Sequence, residues 1–237
     1  MKTVYHSAET RGNANHGWLN ANYSFSFAQY YDPERMNFGA LRVLNDDTIA
    51  PGMGFGAHPH DNMEIITIPL EGDLEHKDSM GNVGAINEGE IQVMSAGSGV
   101  QHSEYNKNPD KPISLLQLWV MPNAHNVAPR YDQKSVRELK KNNAFYQVLS
   151  PNADDDGMWI HQDAWFHLGD FDQTTATEYQ IKKHGNGVYV FVIDGSFTVA
   201  DKVLKKRDAL GVWEADKISF VAQPHSKVLL VEVPMSF

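Results

Sequence analysis

The sequence predicts an all-β protein built from two small antiparallel β-barrels. Short segments rich in β-branched and aromatic residues recur along the chain, separated by Gly, Asn, Asp and Pro. No segment carries a long amphipathic helical period. The chain has 237 residues. That length suits two small domains of about 100–130 residues, each large enough to bury a core.

The predicted strands lie on both sides of a polar middle segment. They are ALRVLN (40–45), MEIITIPLEG (63–72), EIQVMSAG (90–97), ISLLQLWVMP (113–122), YQVLSP (146–151), GVYVFVIDGSFTVA (187–200), KISFVA (217–222) and KVLLVEVP (227–234). Residues 66–97 and 188–225 follow the same order of strand, glycine turn, strand, polar turn and strand. This weak repeat indicates a duplicated β-barrel unit.

The polar middle segment, residues 122–143, predicts the connection between the two domains. The best helix candidate of the chain, SVRELKKNNA (135–144), overlaps this segment and is short. We therefore expect an N-terminal domain over residues 1–130 and a C-terminal domain over residues 131–237.

The composition limits the possible partners and the compartment. The chain has 20 Lys and Arg against 30 Asp and Glu, a net charge of −10, which disfavours direct binding to nucleic acid. It contains no cysteine, so disulfides, thiolate metal ligands and cysteine nucleophiles are excluded. The first residues lack the apolar core of a signal peptide, and apolar stretches such as 188–193 are too short to span a membrane. We expect a cytoplasmic, monomeric protein without a membrane partner.

Two pairs of potential metal ligands follow glycine-rich segments. His58 and His60 are two residues apart, as are His102 and Glu104. In extended strands both members of a pair leave the same face, so the four side chains could converge inside one barrel. Three imidazoles and a carboxylate suit Fe(II), Mn(II), Co(II), Ni(II), Cu(II) or Zn(II). The alternative is that these are ordinary polar residues at strand ends.

Other residues compete for the same role. Glu64 could replace Glu104 as the acidic ligand. Alternate residues of a strand share a face, which also permits residues 58, 60 and 64 on one face. His76 and Asp78 repeat the spacing of two, but the segment HKDSMGN around them is typical of a turn. Five other histidines lack a partner at ligand spacing, and we expect them at the surface or in hydrogen bonds: His125, His161, His167, His184 and His225.

Two long motifs resemble the pirin family of the cupin superfamily. They are PGMGFGAHPHDNMEIITIPLEGDLEHKDSMGN (51–82) and EGEIQVMSAGSGVQHSEYN (88–106), and the similarity extends back through residues 24–47. Ser95 stands where general cupins have a proline, and His102 lies two residues further on than in general cupins. Both departures are those of pirins. IHQDAWF (160–166) and the last strands resemble the second barrel of bacterial pirins.

The resemblance implies a bicupin with a metal, usually iron, in the N-terminal barrel and none in the C-terminal barrel. It implies His58, His60, His102 and Glu104 as the ligands, with Fe(II) the expected ion. It further implies a dioxygenase that cleaves a quercetin-like flavonol with O₂ and releases carbon monoxide, with Glu104 as ligand and catalytic base. Phe55, Met63 and Trp119 are candidate pocket walls as well as core residues. One alternative function is a metal- and redox-dependent regulator that binds a transcription factor or a metabolic enzyme. A second alternative is a barrel whose metal mainly rigidifies the fold.

Overall fold

The computed structural model describes residues 1–236 and consists almost entirely of β-strands. In chain order the strands are β1 Lys2–His6, β2 Gly12–Asn15, β3 Leu19–Tyr23, β4 Leu41–Ile49, β5 Gly54–His60, β6 Glu64–Glu71, β7 Leu74–Asp78, β8 Val83–Ile86, β9 Glu90–Ser95, β10 Val100–Asn106, β11 Ile113–Val120, β12 Arg130–Ser135, β13 Ala144–Ser150, β14 Met158–Trp159, β15 Trp165–Phe171, β16 Thr175–Gln180, β17 Asn186–Asp194, β18 Ser196–Val199, β19 Lys202–Lys205, β20 Ala209–Trp213, β21 Lys217–Ala222 and β22 Ser226–Pro234. Two single-turn 3-10 helices, Ala8–Thr10 and Arg137–Leu139, are the only helices among these residues. The predicted all-β class is confirmed.

Each half of the molecule contains a seven-stranded and a four-stranded sheet. The N-terminal half has the orders β12-β9-β6-β11-β4-β3-β2 and β5-β10-β7-β8. The C-terminal half has the orders β1-β20-β17-β22-β15-β13-β14 and β16-β21-β18-β19. In each half, buried apolar side chains of the two sheets pack against one another. This arrangement fits the predicted pair of antiparallel barrels.

The largest hydrophobic cluster lies between the two seven-stranded sheets. It joins Ile66 and Leu118 of the first half to Phe191 and Leu229 of the second. The central strands are therefore covered on both faces. This explains why β6 and β17 are buried along most of their length and do not alternate between buried and exposed residues. The two barrels therefore share this cluster in addition to the apolar cluster inside each of them.

Two strands pair with the half that lies on the other side of the predicted division at residue 130. Strand β1 pairs with β20 in the C-terminal half, and β12 pairs with β9 in the N-terminal half. The limits 1–130 and 131–237 stay a prediction about domain boundaries. The observed sheets show that each half borrows an edge strand from the other side of that division.

The predicted connection contains more regular structure than expected. Residues 130–135 form β12, whose backbone pairs with the edge of β9, and the Gln133 side-chain amide donates to the Ala85 carbonyl oxygen at 2.7 Å. The helix expected over 135–144 is wrong. Only Arg137–Leu139 forms a 3-10 turn, and β13 begins at Ala144. Pairing with the sheet edges outweighs the weak local helical preference.

Within residues 1–236, no helix is both long and apolar enough to cross a membrane.

Candidate metal centre

Three neighbouring strands carry the side chains of the candidate site. Strands β5 and β10 are antiparallel, with His58 opposite His102. The register shifts between His102 and Glu104, so Glu104 lies opposite Phe55. On its other side β10 pairs with β7, which places His76 opposite Glu104. A β-bulge of this kind re-aims side chains beside a functional site.

The three predicted histidines converge. The ring centroids are 4.9 Å apart for His58 and His60, 4.4 Å for His58 and His102, and 4.9 Å for His60 and His102. One potential ligand nitrogen of each ring lies within 4.8 Å of the others. A single ion bound at about 2.0–2.2 Å from each nitrogen matches such a spacing after small side-chain adjustments.

The imidazoles of His60 and His102 are in the neutral form that binds a cation. Burial, followed by the imidazoles of His102 and His58, lowers the pKa of His60 to about 4. Burial, followed by His58 and His76, lowers the pKa of His102 to about 3. Both rings are therefore neutral at pH 7 and present lone pairs, the form in which imidazole binds a metal.

A hydrogen bond fixes the tautomer of His58. His58 Nδ1 lies 2.8 Å from the Gly56 carbonyl oxygen, which can only accept. Nδ1 therefore carries the proton, and Nε2 keeps its lone pair. In the described part of the chain, neither ring nitrogen of the buried His102 has a hydrogen-bond partner. A buried polar atom without a partner is costly, and a metal ion at the centre of the three rings would remove that cost.

Glu104 is held in place by a short chain of side chains. Gln117 Nε2 donates to both carboxylate oxygens, at 3.1 Å and 2.9 Å. Trp119 Nε1, which can only donate, lies 3.2 Å from Gln117 Oε1 and so fixes the orientation of the amide. Glu104 forms a second potential ligand group with His102 and His76, with ligand atoms again within 4.8 Å of one another. The two groups overlap at His102.

Glu64, the competing acidic residue, faces away from these groups. It accepts a hydrogen bond from Ser95 Oγ at 2.7 Å, and burial raises its pKa to about 7. Residues 61–63 lie outside strands β5 and β6, with Asn62 at a φ of 43°, so period two does not continue from His60 to Glu64. Glu64 therefore shares a face with Ile66, which packs in the core between the barrels.

His76 is the residue that the sequence reasoning undervalued. Its neighbourhood is typical of a turn, yet residues 74–78 form β7 and the turn starts only after Asp78. The His76 side chain is fully buried and bonded to Asp78. The alternation of residue types in LEHKD, with Leu74, His76 and Asp78 on one face, is the signal that could have found it.

The histidine cluster opens into a cavity of about 430 Å³. Aromatic side chains form much of its wall, and they are Trp18, Tyr23, Phe27, Phe55 and Trp119. Met63 packs beside Met94 and Trp119 instead of lining this cavity. Asn45 and Asp47 on β4 supply a polar side, and one buried oxygen of each has no hydrogen-bond partner within residues 1–236. Burial, followed by Asp46 and Glu104, raises the pKa of Asp47 to about 8.

Comparison with known proteins identifies the family of this chain. A family profile described as Pirin matches residues 4–120, and one described as Quercetinase C-terminal cupin domain matches residues 147–233. The chain is 42% identical over 227 residues to a quercetin 2,3-dioxygenase of Escherichia coli K12, covering 96% of each protein. This chain is a member of the pirin family.

Solved structures and further relatives extend the comparison. The crystal structure of the bacterial pirin YhhW of Escherichia coli in complex with nickel(II) superposes with a TM-score of 0.93, at 41% identity, covering 98% of this chain and 99% of that one. A pirin-like protein of Caulobacter vibrioides is 39% identical over 222 residues, covering 93% of this chain and 95% of that protein.

The second barrel of this pirin has a different interior. Where the first barrel holds histidines and carboxamides, the second is filled by apolar side chains such as Val190, Phe197 and Phe220. Both potential ligand groups found among the described residues lie in the first barrel. His167 is buried and lies 3.3 Å from the hydroxyl of Tyr179, in agreement with the expectation of a hydrogen-bonded residue.

Proposed function

We propose that this pirin is a metal-dependent dioxygenase that cleaves a flavonol of the quercetin type with O₂. The observation that carries the proposal is the convergence of three imidazoles beside a buried carboxylate at the mouth of an aromatic cavity. The quercetin 2,3-dioxygenase that is 42% identical over nearly the whole chain supports the choice of substrate.

The proposed ligands are His58, His60, His102 and Glu104, with Fe(II) as the proposed ion. The neutral state of His60 and His102 and the unpartnered nitrogens of His102 support a metal at this position. The same ligand types bind Ni(II), Co(II), Mn(II), Cu(II) and Zn(II). The nickel(II) complex of the 41% identical relative supports a first-row divalent ion. When bound, such an ion supplies Lewis acidity toward a hydroxyl oxygen and a centre for reaction with O₂.

Glu104 is the proposed catalytic base. It is buried, it lines the same cavity as His58 and His60, and its oxygens already accept two hydrogen bonds from Gln117. A carboxylate so placed can accept the proton of a substrate hydroxyl that enters the cavity. The Gln117 amide stays within hydrogen-bond distance and keeps the carboxylate aimed at the cavity.

The walls of the cavity suit a flat, hydroxylated aromatic substrate. Phe55 and Trp18 meet edge to face at 5.3 Å, as do Phe27 and Trp119. Aromatic rings in such a setting provide a large apolar contact area for another ring. The unpartnered oxygens of Asn45 and Asp47 can accept hydrogen bonds from substrate hydroxyl groups, which positions the ring and excludes water from it.

Oxygen uptake with quercetin tests the proposal. The protein is loaded anaerobically with Fe(II), mixed with quercetin and exposed to oxygen, while O₂ loss and carbon monoxide release are measured. We expect both to occur together. Glu104→Gln should keep much of the metal and lose turnover by about 100-fold or more, the usual size of a general-base effect. Glu75→Gln, an exposed change on the neighbouring strand, is the matched control. Iron-loaded protein that consumes neither quercetin nor oxygen contradicts the proposal.

A further inference from the structure

The His76 side chain has a fixed tautomer. It is fully buried, and its Nε2 lies 3.1 Å from Asp78 Oδ2. Asp78 also accepts hydrogen bonds from the backbone nitrogens of Met80 and Asn82 and from Asn82 Nδ2. An ionised carboxylate can only accept, so His76 Nε2 carries the proton. In the neutral imidazole, Nδ1 then carries the lone pair.

His102 is the candidate donor to His76 Nδ1. Across residues 1–236, His76 Nδ1 is buried and has no hydrogen-bond partner. The His76 and His102 rings are 5.4 Å apart, and both residues belong to a group whose ligand atoms lie within 4.8 Å. A neutral His102 ring carries one N–H, and among the described residues neither ring nitrogen of His102 has a partner.

The orientation of His76 is restrained from its other side. The ring of Tyr131 lies 4.7 Å from the His76 ring at an interplanar angle of 32°. Tyr131 belongs to β12, the strand that follows the first barrel in sequence and returns to its edge. Asp78 and Tyr131 thus both restrain the His76 ring, and the ring of His102 is a further neighbour.

We propose that His76 is a positioning residue for the metal centre, accepting the ring N–H of His102 in a chain that runs Asp78, His76, His102. This rests on the proposed function only in assuming that His102 binds a metal. A histidine that ligates through one nitrogen donates with the other, and the acceptor fixes the tautomer and orientation of the ring. The hydrogen bond is proposed for the metal-bound protein. His76 itself does not bind the metal.

Cobalt(II) binding tests the role of His76 without catalysis. The affinity of the whole protein for Co(II) is measured by competition with a chelator, and the visible spectrum of bound Co(II) reports the number and type of ligands. His76→Leu removes the acceptor, and we expect a 10- to 100-fold weaker Co(II) affinity with an unchanged coordination number. His76→Asn places a side-chain oxygen at the position of Nδ1 and should restore affinity to within a few fold of the unsubstituted protein. Glu75→Gln, exposed on the same strand, should change nothing.

Four results would overturn the proposal. The first is an unchanged Co(II) affinity in His76→Leu, and the second is a His76→Asn variant that binds no better than His76→Leu. The third applies if His76→Leu does not fold, and it is an affinity of His76→Asn weakened 10-fold or more. The fourth is a change in Co(II) coordination number, which would make His76 a direct ligand. These results leave the proposed enzymatic function intact, whereas failure of the unsubstituted protein to bind Co(II) defeats both.

Discussion

Replacing Asp47 by asparagine should make the stability of the metal-free protein depend less on pH. Asp47 is buried beside the cavity, and burial, followed by Asp46 and Glu104, raises its pKa from 3.8 to about 8. Above about pH 4 the unfolded chain releases the proton, while the folded chain retains it until about pH 8. The unfolded state therefore binds fewer protons across this window, and the free energy of unfolding falls as the pH rises.

The size of this pH dependence follows from the single proton that Asp47 binds. The contribution of the Asp47 proton to the free energy of unfolding is fully present below about pH 4. It falls by about 1.4 kcal/mol for each pH unit up to about pH 8. Between pH 5 and pH 7 the free energy of unfolding of the unsubstituted protein should fall by roughly 3 kcal/mol more than that of Asp47→Asn. Asparagine keeps the shape and the polar character of the side chain without titrating.

Urea unfolding of metal-free protein at pH 5, 6 and 7 measures this difference. Comparing the variant with the unsubstituted protein at each pH cancels the other titrating groups, including Glu64 and the buried histidines. Asp110→Asn, an exposed carboxylate in the same half, serves as the control and should give a difference that is constant with pH. Parallel stability curves for Asp47→Asn and the unsubstituted protein would refute the assignment of a proton to buried Asp47.

Three further predictions concern substrate, stability and the alternative function. Asn45→Leu should weaken anaerobic binding of quercetin, followed by fluorescence quenching, by about 10-fold while affecting galangin, a flavonol with an unsubstituted phenyl ring, much less; equal losses for both would argue against recognition of a ring hydroxyl. Glu232→Gln should lower the free energy of unfolding by about 3 kcal/mol, because the buried carboxylate accepts hydrogen bonds from Tyr179, two backbone amides and Asn186. Glu214→Gln, which breaks the exposed ion pair with Lys2, should change it by less than about 1 kcal/mol in the same denaturation experiment. The regulatory alternative requires a protein partner captured with different affinity by the Fe(II) and Fe(III) forms, and equal capture by both forms speaks against it.

The strand pattern and the histidine pair could be predicted because both depend on local spacing. Every predicted strand segment overlaps an observed strand. His58, His60 and His102 converge because they lie two residues apart or directly opposite on antiparallel strands. Their roles as ligands stay a proposal, as does that of Glu104.

Other features depend on contacts that sequence spacing does not contain. The exchange of β1 and β12 between the halves is decided by which sheet edges are free. Glu64 changes faces because three residues leave the strand after His60. Asn45 becomes part of the cavity only through its register opposite Gln117 and Tyr23. None of these relations follows from residue periods alone.

The central claim is that one metal ion is bound by His58, His60, His102 and Glu104. Anomalous diffraction from crystals of the metal-loaded protein, collected on both sides of the absorption edge of the metal, locates that ion directly. We predict a single strong peak about 2.0–2.2 Å from one atom of each of these four side chains. A peak bound by His76 with His58 and His60 outside coordination distance, or a peak elsewhere in the molecule, would contradict it.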